Sequence, residues 1–282
     1  MLDITFYGVR GSTPCSCDAT RGVGGNTSCV LVRGHAGSDP LILDCGTGLR
    51  YLGRDLMAEF DDRPFKGVAL LTHLHWDHLQ GLPFFLPILS DGAELTVVGP
   101  EQPGSELGDE IGSFIRPPLF PVGLDELPGS IIFRAQCRGT LTFGTSTVTV
   151  QEVAHVGATN GYRIDDGGGS VAYLSDHQQP SDGSLDVPES VVELCRDVDV
   201  LIHDAQYDAE EFAGKSTWGH STPDYAAEVA LRSGARRLVL FHHDPSHDDA
   251  WIRRVTAELQ QRVGDRLEVL AASEGLSLRS GT

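Results

Sequence analysis

The sequence predicts a mixed fold, α/β or α+β, in which helices cover the faces of β-sheets. Two observations support this prediction. Short apolar runs of strand length, rich in Val, Ile, Leu and Thr, alternate with turn residues through the first half of the chain. Segments with apolar residues three and four positions apart, which is typical of amphipathic helices, follow the third run and dominate the last third.

The first half opens with five strand-like runs, LDITFYG, SCVLVRG, PLILDCG, GVALLTH and ELTVVGP. After the third run, GLRYLGRDLMAEF has the apolar spacing of a helix. A further helix is predicted to begin at WDHLQGLPFF. From Gly99 to Ser130 the chain is rich in Pro and Gly, which indicates either a lid or substrate wall or a packed surface excursion. Phe114, Arg116 and Phe120 are candidate substrate contacts in that segment.

The second half resumes with the strand-like runs SIIFRA, STVTVQEVAH, GYRID, SVAYLSD and DVLIHDA. The glycine-rich Asp165 to Gly169 segment predicts a tight turn between two of these strands. STPDYAAEVALRSGA begins with a Ser/Thr cap, has Pro223 near its first turn and ends at Gly234, so a helix is predicted there. RRLVLFHHD, SHDDAWIRRVTAELQQRV and RLEVLAA then predict a strand, a capped helix and a final strand.

The organisation predicted is one domain over residues 1–282, because no Ser/Gly linker or low-complexity tract interrupts the chain. Its amino terminus lacks the basic and apolar regions of a signal peptide, and no run of about 18 apolar residues occurs. We therefore expect a cytoplasmic protein without a membrane partner. The six cysteines are expected to be free thiols. Cys15 and Cys17 are small residues in a tight loop or, alternatively, soft metal ligands.

The formal net charge is −19 and the pI is about 4.8. Such a surface repels polyanions, so a long nucleic acid would need a local positive field in order to bind. Small substrates are therefore favoured over long RNA.

Metal-binding residue types are concentrated in one stretch, LLTHLHWDHLQG, which follows an apolar run. In a strand, residues two apart point the same way, so His73 and His75 can bind one ion. Asp77 and His78 lie where the chain turns, and they point elsewhere. Four ligands in six positions cannot easily surround a single ion. Two ions are therefore predicted.

Other histidines also lie at or just beyond the ends of strand-like runs, among them His155, His203 and His242. Scattered residues can converge on one site when they occupy the loops at one edge of a sheet. So many histidines at strand ends favour such a shared site over unrelated structural roles.

These residues resemble the metallo-β-lactamase superfamily over nearly the whole chain. THLHWDH is similar to its HxHxDH signature. The other elements follow in order, LILDCGTG with Asp44, EVAHVGATNGYRI with His155, VAYLSD with Asp176 and LVLFHHDP with His242. The resemblance implies a four-layer αββα sandwich and two divalent metal ions, zinc first, with manganese or iron as alternatives.

The resemblance also implies a role for each candidate ligand. One metal would be held by His73, His75 and His155, the second by Asp77, His78 and His242, and Asp176 would bridge the two. Asp44 would orient the site from behind the ligands.

Two further segments, LIHDAQY and WGHSTPDYAAEVA, resemble the HEAT-like and HST motifs of the phosphodiesterase branch that includes tRNase Z. Here HDAQ, with Asp204, replaces HEAT. The long tRNA-binding arm of many tRNase Z enzymes is replaced by DGGG between GYRID and SVAYLSD. The branch implies that Asp77 orients a nucleophile. His220 would protonate the leaving group, held by His203 with Asp204 as orienter, or would merely neighbour a helix cap.

The sequence therefore predicts a metal-dependent phosphoric diester hydrolase that acts on small nucleotides, cyclic ones first, through a hydroxide between two metals. The alternatives are a tRNase Z-like RNA endonuclease, an acyl hydrolase for a lactone, thioester or β-lactam, and a non-catalytic nucleotide-binding protein. The resemblance also implies a homodimer. The sequence leaves undecided the roles of Cys15, Cys17, His177, His243 and His247.

Overall fold

Fourteen strands and six α-helices lie in the part of the chain described by the computed structural model, residues 1–34, 38–61 and 63–281. The strands are β1 Asp3–Gly8, β2 Cys29–Arg33, β3 Leu41–Leu43, β4 Lys66–Leu70, β5 Glu94–Gly99, β6 Ser130–Ala135, β7 Arg138–Phe143, β8 Ser146–Glu152, β9 Asn160–Asp166, β10 Gly169–Leu174, β11 Val200–Asp204, β12 Arg237–Phe241, β13 Glu268–Ala271 and β14 Ser277–Arg279. The helices are α1 Leu49–Phe60, α2 Leu107–Phe114, α3 Glu189–Leu194, α4 Ala209–Lys215, α5 Pro223–Ser233 and α6 Asp249–Val263.

The described strands form two seven-stranded sheets with the orders β14-β1-β2-β3-β4-β5-β6 and β13-β12-β11-β10-β9-β8-β7. In each sheet, antiparallel pairs make up one half and parallel pairs the other. The parallel strands are β3 to β6 in the first sheet and β10 to β13 in the second. The carboxyl ends of parallel strands share one edge of a sheet, which is where open α/β sheets bind their ligands.

The two sheets pack face to face, and helices cover both outer faces. β10 shows how the residues divide. Val171 and Tyr173 face the core between the sheets, whereas Ala172 and Leu174 face the core beneath the helices because side chains alternate along a strand. Helices α1 and α2 cover the first sheet, and α3, α5 and α6 cover the second. The predicted four-layer αββα architecture is confirmed.

Two local predictions were wrong. The helix expected at WDHLQGLPFF is instead a series of short 3-10 turns, Trp76–His78, Leu82–Phe84 and Leu86–Leu89. Pro83 and Pro87 lie at the starts of the second and third turns and lack the N–H that a continuous helix would need. The Gly99 to Ser130 segment, expected to be a loop or excursion, contains helix α2.

The predicted tight turn is present between β9 and β10. Gly167 and Gly168 have φ of 56° and 87°, and they connect strands in register from Gly169 opposite Asp166 onward. Two successive residues with positive φ favour glycine and fit the twist of a hairpin. No helix within the described residues has both the length and the apolar character needed to cross a bilayer.

Candidate metal centre

The candidate ligands meet at the carboxyl ends of the parallel strands, where the two sheets come together. His73 follows β4, Asp176 follows β10 and His242 follows β12. His155 arrives from the opposite direction, three residues beyond the antiparallel strand β8. Within the described residues, four ligand groups converge, each with all ligand atoms within 4.8 Å of one another; two match the predicted triads, and the other two contain Asp176. These triads are His73, His75 and His155, and Asp77, His78 and His242.

Asp176 lies between the two triads and is 2% exposed. Its Oδ1 is 3.8 Å from His73 Nε2 and 3.8 Å from His155 Nε2. Its Oδ2 is 3.2 Å from His78 Nε2 and 3.3 Å from His242 Nε2. Each carboxylate oxygen therefore faces a different triad, an arrangement that would allow Asp176 to bind a metal ion in each.

Most of the clustered imidazoles are held by Nδ1, which leaves Nε2 directed into the cluster. The Nδ1 partners are Thr72 Oγ1 at 3.0 Å for His73, Asp44 Oδ2 at 2.8 Å for His78, the Gly219 carbonyl at 2.7 Å for His155 and Gln206 Oε1 at 2.8 Å for His242. His75 is oriented differently, because its Nδ1 is 3.4 Å from His155 Nε2. Hydrogen bonds of this kind fix the tautomer and ring orientation of metal-binding histidines.

The buried nitrogens provide a test of whether metals fit this site. Within the described residues, His73 Nε2 and His78 Nε2 are inaccessible to solvent and make no well-aligned hydrogen bond, although His78 Nε2 lies 3.1 Å from Asp77 Oδ2. A buried polar atom without a partner costs about 1–3 kcal/mol, and a bound cation would remove that cost. Imidazole and carboxylate donors in this number suit zinc, and also manganese or iron. The residues therefore fit two divalent cations.

The electrostatics of the cluster favour the metal-binding forms of His73 and Asp77, whereas the pKa of His78, which burial alone would lower, is raised well above its usual value by the charges of Asp77, Asp176 and Asp44. Burial, reinforced by the neighbouring His78, lowers the pKa of His73 well below its usual value. Burial by itself would raise the pKa of Asp77, but the charge of His78 and the hydrogen bond from His242 hold it far below its usual value. A neutral imidazole and an ionised carboxylate are the forms that bind metal.

Asp44 lies behind the ligands and is fully buried. Its carboxylate accepts three hydrogen bonds, from the Thr72 backbone N–H at 2.7 Å, from the Tyr173 hydroxyl at 2.8 Å and from His78 Nδ1 at 2.8 Å. No oxygen of Asp44 belongs to the converging ligand groups of the described residues. The structure therefore places Asp44 where it orients His78.

The loop after β1 also belongs to the site, although it contains none of the predicted ligands. The backbone N–H of Ser12 donates to Asp77 Oδ2 at 2.7 Å. A Cβ at Gly11 would lie 2.5 Å from the ring of His242. The contact between Ser12 and Asp77 spans 65 positions, so no local sequence pattern could reveal it.

His220 and Asp204 form a buried pair beside Asp176. His220 Nδ1 is 2.8 Å from Asp204 Oδ2 and 3.7 Å from Asp176 Oδ1. Asp204 Oδ1 also accepts the backbone N–H groups of Gln206 and Ser221, at 3.0 and 3.3 Å. Burial would lower the pKa of His220, but the charge and hydrogen bond of Asp204 raise it.

The expectation that His203 holds His220 was wrong. Both ring nitrogens of His203 bond elsewhere, Nε2 to His177 Nδ1 at 2.9 Å and Nδ1 to the Asp204 carbonyl at 2.7 Å. Adjacent residues of a strand point to opposite faces, so His203 packs against Tyr225 of the covering helix while the carboxylate of Asp204 faces the site. Asp204 alone of the two contacts His220 through its side chain.

The remaining undecided residues lie apart from the two triads. His243 Nε2 contacts the Ala272 carbonyl at 3.1 Å, and His247 Nε2 contacts Glu211 at 2.9 Å. Within the described residues, none of the converging ligand groups contains Cys15 or Cys17.

Comparisons with known proteins agree with this geometry. Residues 41–243 match the sequence profile of the beta-lactamase superfamily domain. Ribonuclease Z of Natronomonas pharaonis is 28% identical over 279 residues, covering 86% of this chain and 86% of that protein. Ribonuclease Z of Geobacillus kaustophilus is 31% identical over 246 residues, covering 71% of this chain and 76% of that protein.

Solved structures share the fold. The metallo-β-lactamase fold protein YhfI of Bacillus subtilis superposes with a TM-score of 0.73 at 22% identity, and the match covers 98% of each chain. The short form of human tRNase Z superposes with a TM-score of 0.67 at 22% identity, covering 99% of this chain and 100% of that one.

Proposed function

Because the chain belongs to the beta-lactamase superfamily domain family, in its ribonuclease Z-like branch, and is a metal-dependent hydrolase, we propose that it hydrolyses phosphodiester bonds of small nucleotides, cyclic ones in particular. The observation that carries the proposal is the buried His220–Asp204 pair at 2.8 Å, next to the Asp176 carboxylate. Such a pair suits a reaction in which a poor leaving group must be protonated.

The proposed cofactor is a pair of divalent cations, zinc first. One is assigned to His73, His75 and His155, the other to Asp77, His78 and His242, with Asp176 shared between them. When bound, such cations supply an activated water near neutral pH and neutralise phosphoryl oxygens.

The chain's own residues are proposed to position the reactants and move the proton. Asp204 holds His220 through Nδ1, so that Nε2 can donate a proton to the departing oxygen. Asp77, which is fixed by the Ser12 N–H at 2.7 Å, is proposed to orient the attacking water. His203 acts only as a positioning residue, through the backbone of Asp204.

A small substrate is favoured by the surface and by the β9–β10 turn. The connection is only Gly167 and Gly168, at the position where many tRNase Z enzymes carry the tRNA-binding arm. The net charge of −19 also opposes long RNA. The second candidate function is RNA cleavage. It is supported by the relatives named ribonuclease Z. Acyl hydrolysis has less support because the relatives that match over most of the chain are named ribonuclease Z.

The test of this proposal compares two leaving groups. In metal-replete His220→Ala, turnover of 3′,5′-cyclic AMP should fall about 10²- to 10⁴-fold, because its alkoxide needs a proton. Turnover of bis(p-nitrophenyl) phosphate, whose leaving group departs as an anion, should fall less than tenfold. Asp204→Asn should show the same pattern to a smaller degree. Metal content measured on each variant separates loss of acid catalysis from loss of the cofactor.

Equal losses on the two substrates would contradict the acid role of His220. The wild-type protein should also be assayed on 2′,3′-cyclic nucleotides, linear dinucleotides, lactones, thioesters and precursor tRNA. Cleavage of the tRNA at its 3′ end, without action on small diesters, would favour the ribonuclease Z alternative. Cytoplasmic location and a homodimer remain predictions from the sequence.

A further inference from the structure

A cavity of about 650 Å³ lies beside the ligand loop. Aromatic side chains form much of its wall, namely Tyr51, Trp76, Phe84, Phe114 and Phe120. We call this cavity the aromatic pocket. Trp76 lies between His75 and Asp77 in the sequence, so one residue of the pocket wall is covalently adjacent to two candidate ligands. Its volume is within the range of sites that bind small ligands.

Several large apolar residues of the aromatic pocket are open to solvent. Trp76 is 60% exposed, Phe84 53% and Leu119 66%. Single exposed apolar residues are ordinary on protein surfaces, but a contiguous group marks a binding site. The concentration of exposed aromatic surface next to the candidate metal centre therefore indicates a ligand with an apolar, planar portion.

The ring geometry fits a stacked ligand. Phe114 supports Trp76, with ring centroids 5.3 Å apart and planes inclined by 34°. Phe120 supports Phe84 edge-on, with centroids 5.8 Å apart. The contact with Phe114 holds the indole of Trp76 in place and still leaves it mostly exposed. A supported, exposed indole is a platform on which a nucleobase can stack.

Polar groups lie on the same wall. Arg50 and Gln80 line the aromatic pocket and carry hydrogen-bond donors suited to the edge of a base. Arg50 also places a positive charge beside the pocket of a chain whose net charge is −19. A nucleotide combines a planar base with an anionic phosphate, so it matches this wall better than a purely apolar partner does.

From these observations we infer that the aromatic pocket binds the nucleobase of the substrate, with the base stacked on Trp76 and the phosphate directed to the candidate metal centre. The inference rests on the proposed function and names its substrate class, a phosphodiester attached to a nucleoside. It also gives Phe114 and Phe120, which come from the Gly99 to Ser130 segment, a task in supporting the base platform.

The test compares substrates with and without a base. The variants are Trp76→Ala, Trp76→Phe and a control, Ile132→Ala, which removes a 46% exposed side chain from β6 outside the pocket. Trp76→Ala should lower kcat/KM for 3′,5′-cyclic AMP about tenfold or more. It should change kcat/KM for the base-free ribose 3′,5′-cyclic phosphate less than twofold. Trp76→Phe should retain most of the activity, and Ile132→Ala all of it.

Metal content and the affinity for adenosine, measured by calorimetry, complete the experiment. Adenosine should bind the wild-type protein and bind Trp76→Ala at least tenfold more weakly. Equal losses on the two cyclic substrates, or unchanged activity in Trp76→Ala, would overturn the inference. An unchanged adenosine affinity in Trp76→Ala would also overturn it, even if the substitution weakens a dimer. If no diester is hydrolysed by the wild-type protein, the proposed function fails, and adenosine binding alone then decides for or against the base site.

Discussion

Asp44 shows how a residue outside the ligand set controls the site. Its carboxylate accepts hydrogen bonds from His78, Thr72 and Tyr173 in a fully buried position. The bond to His78 places the ring proton on Nδ1 and leaves the Nε2 lone pair directed toward Asp77 and Asp176, at 3.1 and 3.2 Å. Partners of this kind tune metal affinity nearly as strongly as the ligands do.

The first prediction concerns Asp44→Asn. The amide would present N–H groups where the carboxylate now accepts bonds, so His78 would lose its orientation. We expect affinity for the metal at Asp77, His78 and His242 to fall about 10- to 100-fold. Competition with a coloured chelator measures it. Tyr173→Phe is the matched control, because it removes one donor to Asp44 and leaves the bond to His78. Unchanged metal affinity in Asp44→Asn would refute the role given to Asp44.

At the residue scale, the sequence predicted the clustering and not the supporting contacts. The spacing of His73, His75, Asp77 and His78 predicted two ions, and the structure brings these residues together in two triads. The support from Gln206 could not be predicted, because its bond to His242 spans 36 positions and depends on how two loops meet. The orientation of His203 could have been predicted from strand alternation, which places it opposite Asp204.

Among the elements, strands with buried apolar runs were predicted, and so was the exposed edge strand β6, because its run SIIFRA is rich in β-branched and aromatic residues. Strands β4, β5, β10, β11 and β12 have mostly buried residues, and their apolar runs were visible in the sequence. β7 and β14 were not predicted. They are edge strands with mostly exposed residues, so water contact removes the need for an apolar pattern. Helix α2 was hidden by Gly108 and Gly112, which have low helix propensity.

The same Gly→Ala substitution should change the free energy of unfolding in opposite directions at two glycines. Among the described residues, a Cβ at Gly168 or at Gly112 would meet no atom within 4 Å. Gly168 has φ of 87° in the β9–β10 turn, so Gly168→Ala should lower the free energy of unfolding by about 1–2 kcal/mol. Gly112 lies within α2, where Gly112→Ala should raise it by about 0.5–1 kcal/mol. Urea denaturation measures both, and shifts of the same sign would contradict the backbone argument.

For the whole molecule, the site depends on the pairing of the two sheets. His73 and Asp77 come from the first sheet, and Asp176 and His242 come from the second. The apolar runs predicted sheets covered by helices, and the resemblance implied the four layers. No local pattern could show how the sheets face each other, because that arrangement depends on contacts such as Phe6 with Phe241, with ring centroids 6.1 Å apart.

Metal removal should therefore weaken the whole fold. A cation that binds only the folded chain and is present at 100 times its Kd adds about 2.7 kcal/mol of stability, and two such cations at the proposed site would join the two sheets. We expect complete chelation to lower Tm by roughly 10 °C, as followed by calorimetry, and added zinc to restore it. Chelation should lower the Tm of the Asp176→Asn variant by a smaller amount. A metal-free protein with the Tm of the loaded protein would show that the cluster does not bind metal tightly.

The arrangement of ligands leads us to expect two metal ions bound between the two sheets. Anomalous diffraction from crystals of the metal-loaded protein, with the metal identified by elemental analysis, tests this expectation most directly. Two peaks are expected on either side of Asp176, one beside His73, His75 and His155, the other beside Asp77, His78 and His242. A single peak, or peaks away from these residues, would contradict it.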